Sequence, residues 1–207
     1  MNPLHIALTL KGTMTLISDP LTADRATALP AWLTADLRTD HAGETGAVFI
    51  YRGMLATSRD AAVRHFAQTH LETESAHLLL IEPLLTLRQR SLLLPLWRGA
   101  GWLTGALPAL CGPRAAYATV QAVETFVDRH YTEQIDAIDR ASPISPSVAL
   151  TEVRTLLARC RSDEIEHRDE AAALLARHVT PWSSALRLWV WSVGVGSRAA
   201  VEICRRI

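Results

Sequence analysis

Glu164-Ile165-Glu166-His167 sets a carboxylate and an imidazole three residues apart, in a run that is apolar one and two turns away at Leu157, Cys160, Ala171 and Leu175. Residues i and i+3 of a helix share a face, so this spacing predicts a helix that turns Glu164 and His167 towards a core with the apolar stripe. The pattern recurs as Glu74-Ser75-Ala76-His77, flanked by Ala67, Leu78, Ile81 and Leu85, with His70 as the polar exception. Each pair has an upstream glutamate on an apolar stripe of its own. Glu44 lies with Leu37, Ala47, Val48, Tyr51 and Leu55, and Glu124 with Tyr117, Val120, Val127, Tyr131 and Ile135.

Working outward, the periodicity is near 3.6 wherever it can be read, and alternating β-branched runs are absent. Four amphipathic helices are expected at about 32–57, 60–89, 113–140 and 147–178, with two further segments, 91–112 and 181–205, apolar almost all round. Ser58-Arg59-Asp60 separates the first pair. Ser142-Pro143-Ile144-Ser145-Pro146-Ser147 separates the second, because neither proline fits inside a helix. The midpoint between Glu44 and Glu74 is residue 59, and that between Glu124 and Glu164 is residue 144, so both fall in these turns. Folding each pair into an antiparallel hairpin brings each glutamate level with its partner motif, about 22–30 Å from the turn at ~1.5 Å per residue. Two hairpins joined by a long crossover make the chain all-α, a ferritin-like four-helix bundle with additional apolar helices.

Carboxylates on apolar faces are costly unless something neutralises them, and few lysines or arginines lie on the matching faces. Metal does so. One glutamate from each of two helices plus Glu-x-x-His from the other two is the donor set of di-metal bundles, and Glu44, Glu74, His77, Glu124, Glu164 and His167 supply it without remainder. Carboxylate-rich ligation suits iron or manganese better than zinc, which takes more histidine and cysteine. Two iron ions per chain are expected, since a reduced pair with open positions can activate O2.

The run Asp40-His41-Ala42-Gly43-Glu44-Thr45-Gly46-Ala47 resembles the signature of the demethoxyubiquinone hydroxylase family. The resemblance continues through Tyr51, Glu74 to His77, Pro95-Leu96-Trp97, Ala122-Val123-Glu124, His130-Tyr131 and Asp163 to His167, covering about residues 36–207. It implies a di-iron monooxygenase that hydroxylates the ring of a polyprenyl demethoxyubiquinol, using O2 and an external reductant. By position it implies the same six ligands. Val48-Phe49 and Thr125 depart from residues common in the family. The rival readings are a ferritin-like oxidase or peroxidase, and a non-catalytic iron- or quinone-binding bundle. No GxGxxG fingerprint supports a resident nicotinamide site.

Other residues are candidates for supporting roles. Asp163 can orient a ligand histidine by accepting its outer N–H. His41 stands one turn before Glu44, His130 and Tyr131 can line a substrate or proton path, and Gly43 and Gly46 can permit close helix packing.

Acids and bases balance at 21 each, which excludes steering towards nucleic acid by overall charge. Three widely spaced cysteines form no disulfide framework and indicate a reducing compartment. Residues 1–31 read as a loosely structured leader without a targeting signal, and 32–207 as the catalytic domain. Five of the six tryptophans, Trp97, Trp102, Trp182, Trp189 and Trp191, fall in the two apolar segments. Tryptophan favours the membrane–water boundary, while the glycines, prolines and arginines of these segments argue against a span. The expectation is a peripheral protein on the cytoplasmic face of the cell membrane, close to other ubiquinone-biosynthesis proteins. An oligomer interface is the other use for these segments.

Overall fold

The computed structural model describes residues 29–141, 147–178 and 181–207. Residues 1–28 of the expected leader, and the prolines of the second turn, lie outside the described residues. Six helices are present among them, with no strand: α1 Ala31–Thr57, α2 Ala61–Ile81, α3 Leu94–Leu110, α4 Pro113–Ala141, α5 Val148–Ala176 and α6 Ser184–Cys204. The all-α, ferritin-like bundle is thus observed.

Local chemistry sets the starts of the helices. Asp60 caps α2 by accepting from the backbone N–H of Ala62 at 2.9 Å and Val63 at 3.0 Å. Ser147 and Ser183 cap α5 and α6 through the N–H groups of Leu150 and Leu186. Gly112, at φ 103°, reverses the chain between α3 and α4, a conformation that a side chain would strain.

One boundary differs from expectation. The helix foreseen to residue 89 stops at Ile81 and continues only as two short 3-10 turns, Glu82–Leu84 and Leu87–Gln89. Pro83 is the cause, since it lacks an N–H and its ring clashes with the preceding turn.

Hairpins α1–α2 and α4–α5 form the bundle, and two apolar clusters fill it at opposite ends. One gathers Met54, Val63, Phe66, Tyr117, Val120 and Leu175 near the α1–α2 turn. The other gathers Leu33, Leu37, Tyr131, Ile138, Leu150 and Leu157 near the α4–α5 link. Each fully buried leucine contributes roughly 1.5–3 kcal/mol of hydrophobic stabilisation. The glutamates and histidines occupy the middle layer between the clusters.

The two apolar segments pack on this bundle differently. Helix α3 lies backbone to backbone on α1: a Cβ at Gly101 would meet the Gly46 carbonyl oxygen at 2.3 Å, one at Gly105 the Ile50 oxygen at 1.8 Å, and one at Gly53 the Trp102 oxygen at 2.2 Å. The glycines that close packing requires are therefore Gly53, Gly101 and Gly105. Gly43 has nothing within 4 Å of an added Cβ, and Gly46 matters only as the surface that Gly101 meets. Helix α6 buries Cys204 alone. It is tied down at its ends, where Trp189 Nε1–H donates to Thr119 Oγ1 at 2.8 Å and Arg205, just past the helix, donates to Asp36 at 2.9 Å. Leu96, Trp102, Leu103 and Leu107 on α3, and Leu188, Trp191 and Val195 on α6, remain exposed. No helix among the described residues is long and apolar enough to cross a membrane.

Candidate metal centre

Each helix of the bundle delivers its share of one cluster. Glu44 comes from α1, Glu74 and His77 from α2, Glu124 from α4, and Glu164 and His167 from α5, all buried. They form two overlapping groups, Glu44–Glu74–His77–Glu164 and Glu74–Glu124–Glu164–His167, whose ligand atoms lie within 4.8 Å of one another. Glu74 and Glu164 belong to both. His77 Nδ1 is 3.0 Å from Glu164 Oε1, and His167 Nδ1 is 3.1 Å from Glu74 Oε1.

The donor atoms fit cations. Glu44 Oε2, Glu74 Oε1, both Glu164 oxygens and the Nδ1 atoms of His77 and His167 are buried without a hydrogen-bond partner. Buried polar atoms are rarely left so. No lysine or arginine among the described residues pairs with any of the four glutamates. Either buried group can hold a metal ion.

Taken as protein groups alone, Glu74, Glu124, His77 and His167 retain protons. Burial, reinforced by Glu164 and Glu44, drives the Glu74 carboxyl well above the usual carboxylate range. Burial and then Glu164 do the same to Glu124. Burial would also raise Glu164, but the two adjacent imidazoles hold it at about 2. Burial opposes charge on His77 and His167, yet the surrounding carboxylates outweigh it and raise both. Such a set releases protons when cations bind.

The groups behind the cluster hold it in shape. Tyr131 O–H donates to Glu44 Oε1, and Tyr51 O–H donates to Glu124 Oε1 at 3.1 Å. Burial raises both phenols, so they remain protonated donors. His77 Nε2–H donates to Asp163 Oδ2 at 3.0 Å, which leaves Nδ1 as the lone-pair atom facing the cluster.

A cavity of about 430 Å³ runs from this layer to the space between α3 and α6. Glu44, Glu74, Glu124 and Glu164 line its inner end, and Trp97 and Trp189 stand on opposite walls.

Residues 31–204 match the family described as Ubiquinone biosynthesis protein COQ7. The chain belongs to that family. A 3-demethoxyubiquinol 3-hydroxylase of Rhodospirillum rubrum is 34% identical over 175 residues, spanning 83% of this chain and 76% of the relative. An NADPH-dependent 3-demethoxyubiquinone 3-hydroxylase, mitochondrial, of Homo sapiens is 36% identical over 173 residues, with the same coverage. One of Caenorhabditis elegans is 28% identical over 187 residues, spanning 89% of this chain and 96% of the relative.

In this member of the COQ7 family the structure brings together all six expected donors, with Tyr131 and Asp163 directly behind them. His130 lies beside the cluster on the cavity wall. Its Nε2–H is shared between Asp40 Oδ1 at 3.1 Å and Thr39 Oγ1 at 2.9 Å, and Gln134 also donates to Asp40 at 2.8 Å. His41 is not brought in. Its ring lies 4.0 Å from Glu82 and makes no hydrogen bond to any of the six. The helix turns Asp40, four residues before Glu44, to this side in its place.

Sequence reasoning gave no supporting role to Tyr51, Asp40 or Gln134. A signal existed for Tyr51, which follows Glu44 by seven residues as Tyr131 follows Glu124. His70, noted only as a polar exception, packs edge-on to His167 at 4.0 Å between ring centroids, with Nε2 3.1 Å from Glu170. Burial, followed by the nearby His167, holds it neutral, at about 3.

Proposed function

We propose that this chain is a di-iron, O2-dependent hydroxylase of a polyprenyl demethoxyubiquinol ring, working at a membrane surface in ubiquinone biosynthesis. The observation that carries the reading is the set of inward-facing carboxylate and imidazole atoms, unpaired with protein, at the closed end of an apolar-walled cavity. The donor chemistry favours iron over zinc. Bound there, an iron pair supplies the redox chemistry that activates O2.

The protein groups do the rest. Glu74 and Glu164 would be available to both ions, Glu44 and His77 would hold one, and Glu124 and His167 would hold the other. Tyr131 and Tyr51 fix the outer glutamates, and Asp163 fixes the ring of His77. The quinol ring enters between α3 and α6, where Trp97 and Trp189 confine it and apolar walls exclude water. His130, held by Asp40 and Thr39, faces this space and handles the proton of a ring hydroxyl.

The exposed leucines and tryptophans of α3 and α6 lie against lipid at the cavity mouth, so a long tail stays in the bilayer while the ring reaches the cluster. We read the chain as peripheral, on the cytoplasmic face of the cell membrane and within reach of other ubiquinone-biosynthesis proteins, a reading these exposed side chains support. Reducing equivalents come from outside the chain. The human relative's name specifies NADPH, which is the donor to test first.

The test is expression in a host lacking demethoxyquinone hydroxylation, with quinones followed by mass. Wild type restores the hydroxylated quinone and Glu164→Ala does not. Failure of a folded, iron-loaded wild type to restore it overturns the reading.

A further inference from the structure

The two groups of ligands are built on one plan. Each contains both shared glutamates, one outer glutamate and one histidine. Each outer glutamate accepts one tyrosine hydrogen bond. Those matched contributions cancel when the groups are compared, which leaves what lies directly behind the two histidines as the nearest difference between them.

There the plan breaks. Behind His77 stands a carboxylate, Asp163, which accepts the outer N–H at 3.0 Å. His167 Nε2 makes no hydrogen bond among the described residues. Asp163 is the residue immediately before Glu164, and the residue immediately before Glu74 is Thr73, which has no carboxylate to offer. The edge of His70 packs against the His167 ring, holding its orientation by contact without adding negative charge. A carboxylate behind a metal-bound histidine raises the basicity of the coordinating nitrogen, and losing one typically costs about 10–100-fold in metal affinity.

On this basis, and resting on the two-ion reading above, we infer that the two metal positions are unequal: the position served by His77 fills first and holds its ion more tightly, and Asp163 is the residue that makes it so. When metal is scarce the chain carries a single ion beside His77. The position beside His167 is the one that empties and refills. Asp163 is a positioning residue, acting through the ring of His77.

Anaerobic calorimetric titration of the metal-free full-length chain with Fe(II) tests this without reference to turnover. Wild type takes up two ions in two steps. Asp163→Asn weakens the first step by about tenfold or more and leaves the second in place, so the steps converge. Thr73→Asp places a carboxylate at the matching position on α2 and tightens the second step instead. The Asp163 side chain is 36% exposed, so the helical circular dichroism of Asp163→Asn should match wild type. If that variant does not fold, Thr73→Asp decides alone. An unchanged first step in Asp163→Asn, equal weakening of both steps, or no tightening in Thr73→Asp overturns the inequality while leaving the two-ion site standing. Uptake of fewer than two ions by wild type overturns both.

Discussion

Hairpin α1–α2 and hairpin α4–α5 carry the same skeleton in the same register. Glu44 is followed seven residues later by Tyr51, and Glu124 by Tyr131; Glu74-x-x-His77 is matched by Glu164-x-x-His167. Each tyrosine reaches across to the glutamate of the other hairpin. Around this skeleton the halves diverge. Asp40 is matched by Val120, Ile50 by His130, Met54 by Gln134, His70 by Cys160 and Thr73 by Asp163. The repeated residues are the candidate metal donors and the tyrosines that hold two of them. The unrepeated ones form the Asp40–His130–Gln134 network on one flank of the cluster and an aromatic packing of Phe66, His70 and Tyr117 on the other. A duplicated scaffold can therefore present two chemically different surroundings to two similar sites.

The comparison breaks most completely at a shared member. Glu164→Ala removes a carboxylate common to both groups, and it should abolish quinol hydroxylation and leave less than one iron per chain by metal analysis. Replacing Asp40 by its counterpart, Asp40→Val, removes the acceptor of Gln134 and one of the two acceptors of His130, which keeps Thr39, in a buried site. It should cost about 1–3 kcal/mol for each donor left unsatisfied, seen as a lowered Tm, while iron content stays at the wild-type level.

A smaller effect follows from protonation. Glu74, Glu124, His77 and His167 are all raised, so the folded metal-free chain binds more protons than the unfolded chain above pH ~6.5, where unfolded histidine titrates. Stability then falls as pH rises. Chelator-treated protein should lose several degrees of Tm between about pH 7 and 9, whereas Fe(II)-loaded protein under anaerobic conditions should not, because the ions have displaced those protons. Equal pH profiles for the two forms would count against the assignment. The smallest effect sharpens the symmetry itself. Tyr51→Phe and Tyr131→Phe each remove one hydrogen bond to an outer glutamate and should each lower stability by about 1 kcal/mol in denaturant melts. A large disparity between them would show that the skeleton is less evenly shared than its geometry indicates.

How much of this was legible beforehand follows from the range of each interaction. Glu74 with His77 and Glu164 with His167 are local pairs, and hairpin arithmetic about residues 59 and 144 aligned them with Glu44 and Glu124, so the whole cluster could be read from spacing. The end of α2 was also legible in principle, because Pro83 is visible in the sequence and explains the stop at Ile81. The Asp40–His130 contact joins residues ninety positions apart and depends on how far α1 is rotated about its own axis. Asp40 and His41 are neighbours, yet about 100° of helical rotation sends one to the cluster and the other towards Glu82. The glycine contacts were misplaced for a similar reason. Gly43 and Gly46 flank Glu44 in sequence, but the surface α3 presses on is set by the crossing of two helices, which single-helix periodicity does not encode.

That crossing has a mechanical consequence. Where Gly101 meets the backbone of Gly46 and Gly105 meets that of Ile50, no side chain can change rotamer to make room, so α3 is a stiff jaw of the cavity. The opposite jaw, α6, fully buries only Cys204 and meets the bundle through half-buried Leu186, Val190 and Val193, with polar ties at Trp189 and Arg205, so it gives up less packing than α3 when it moves outward. A guest wider than the resting channel would be admitted by the flexing of α6 alone, and amide exchange along the two helices should differ accordingly, slow in α3 and fast through the middle of α6.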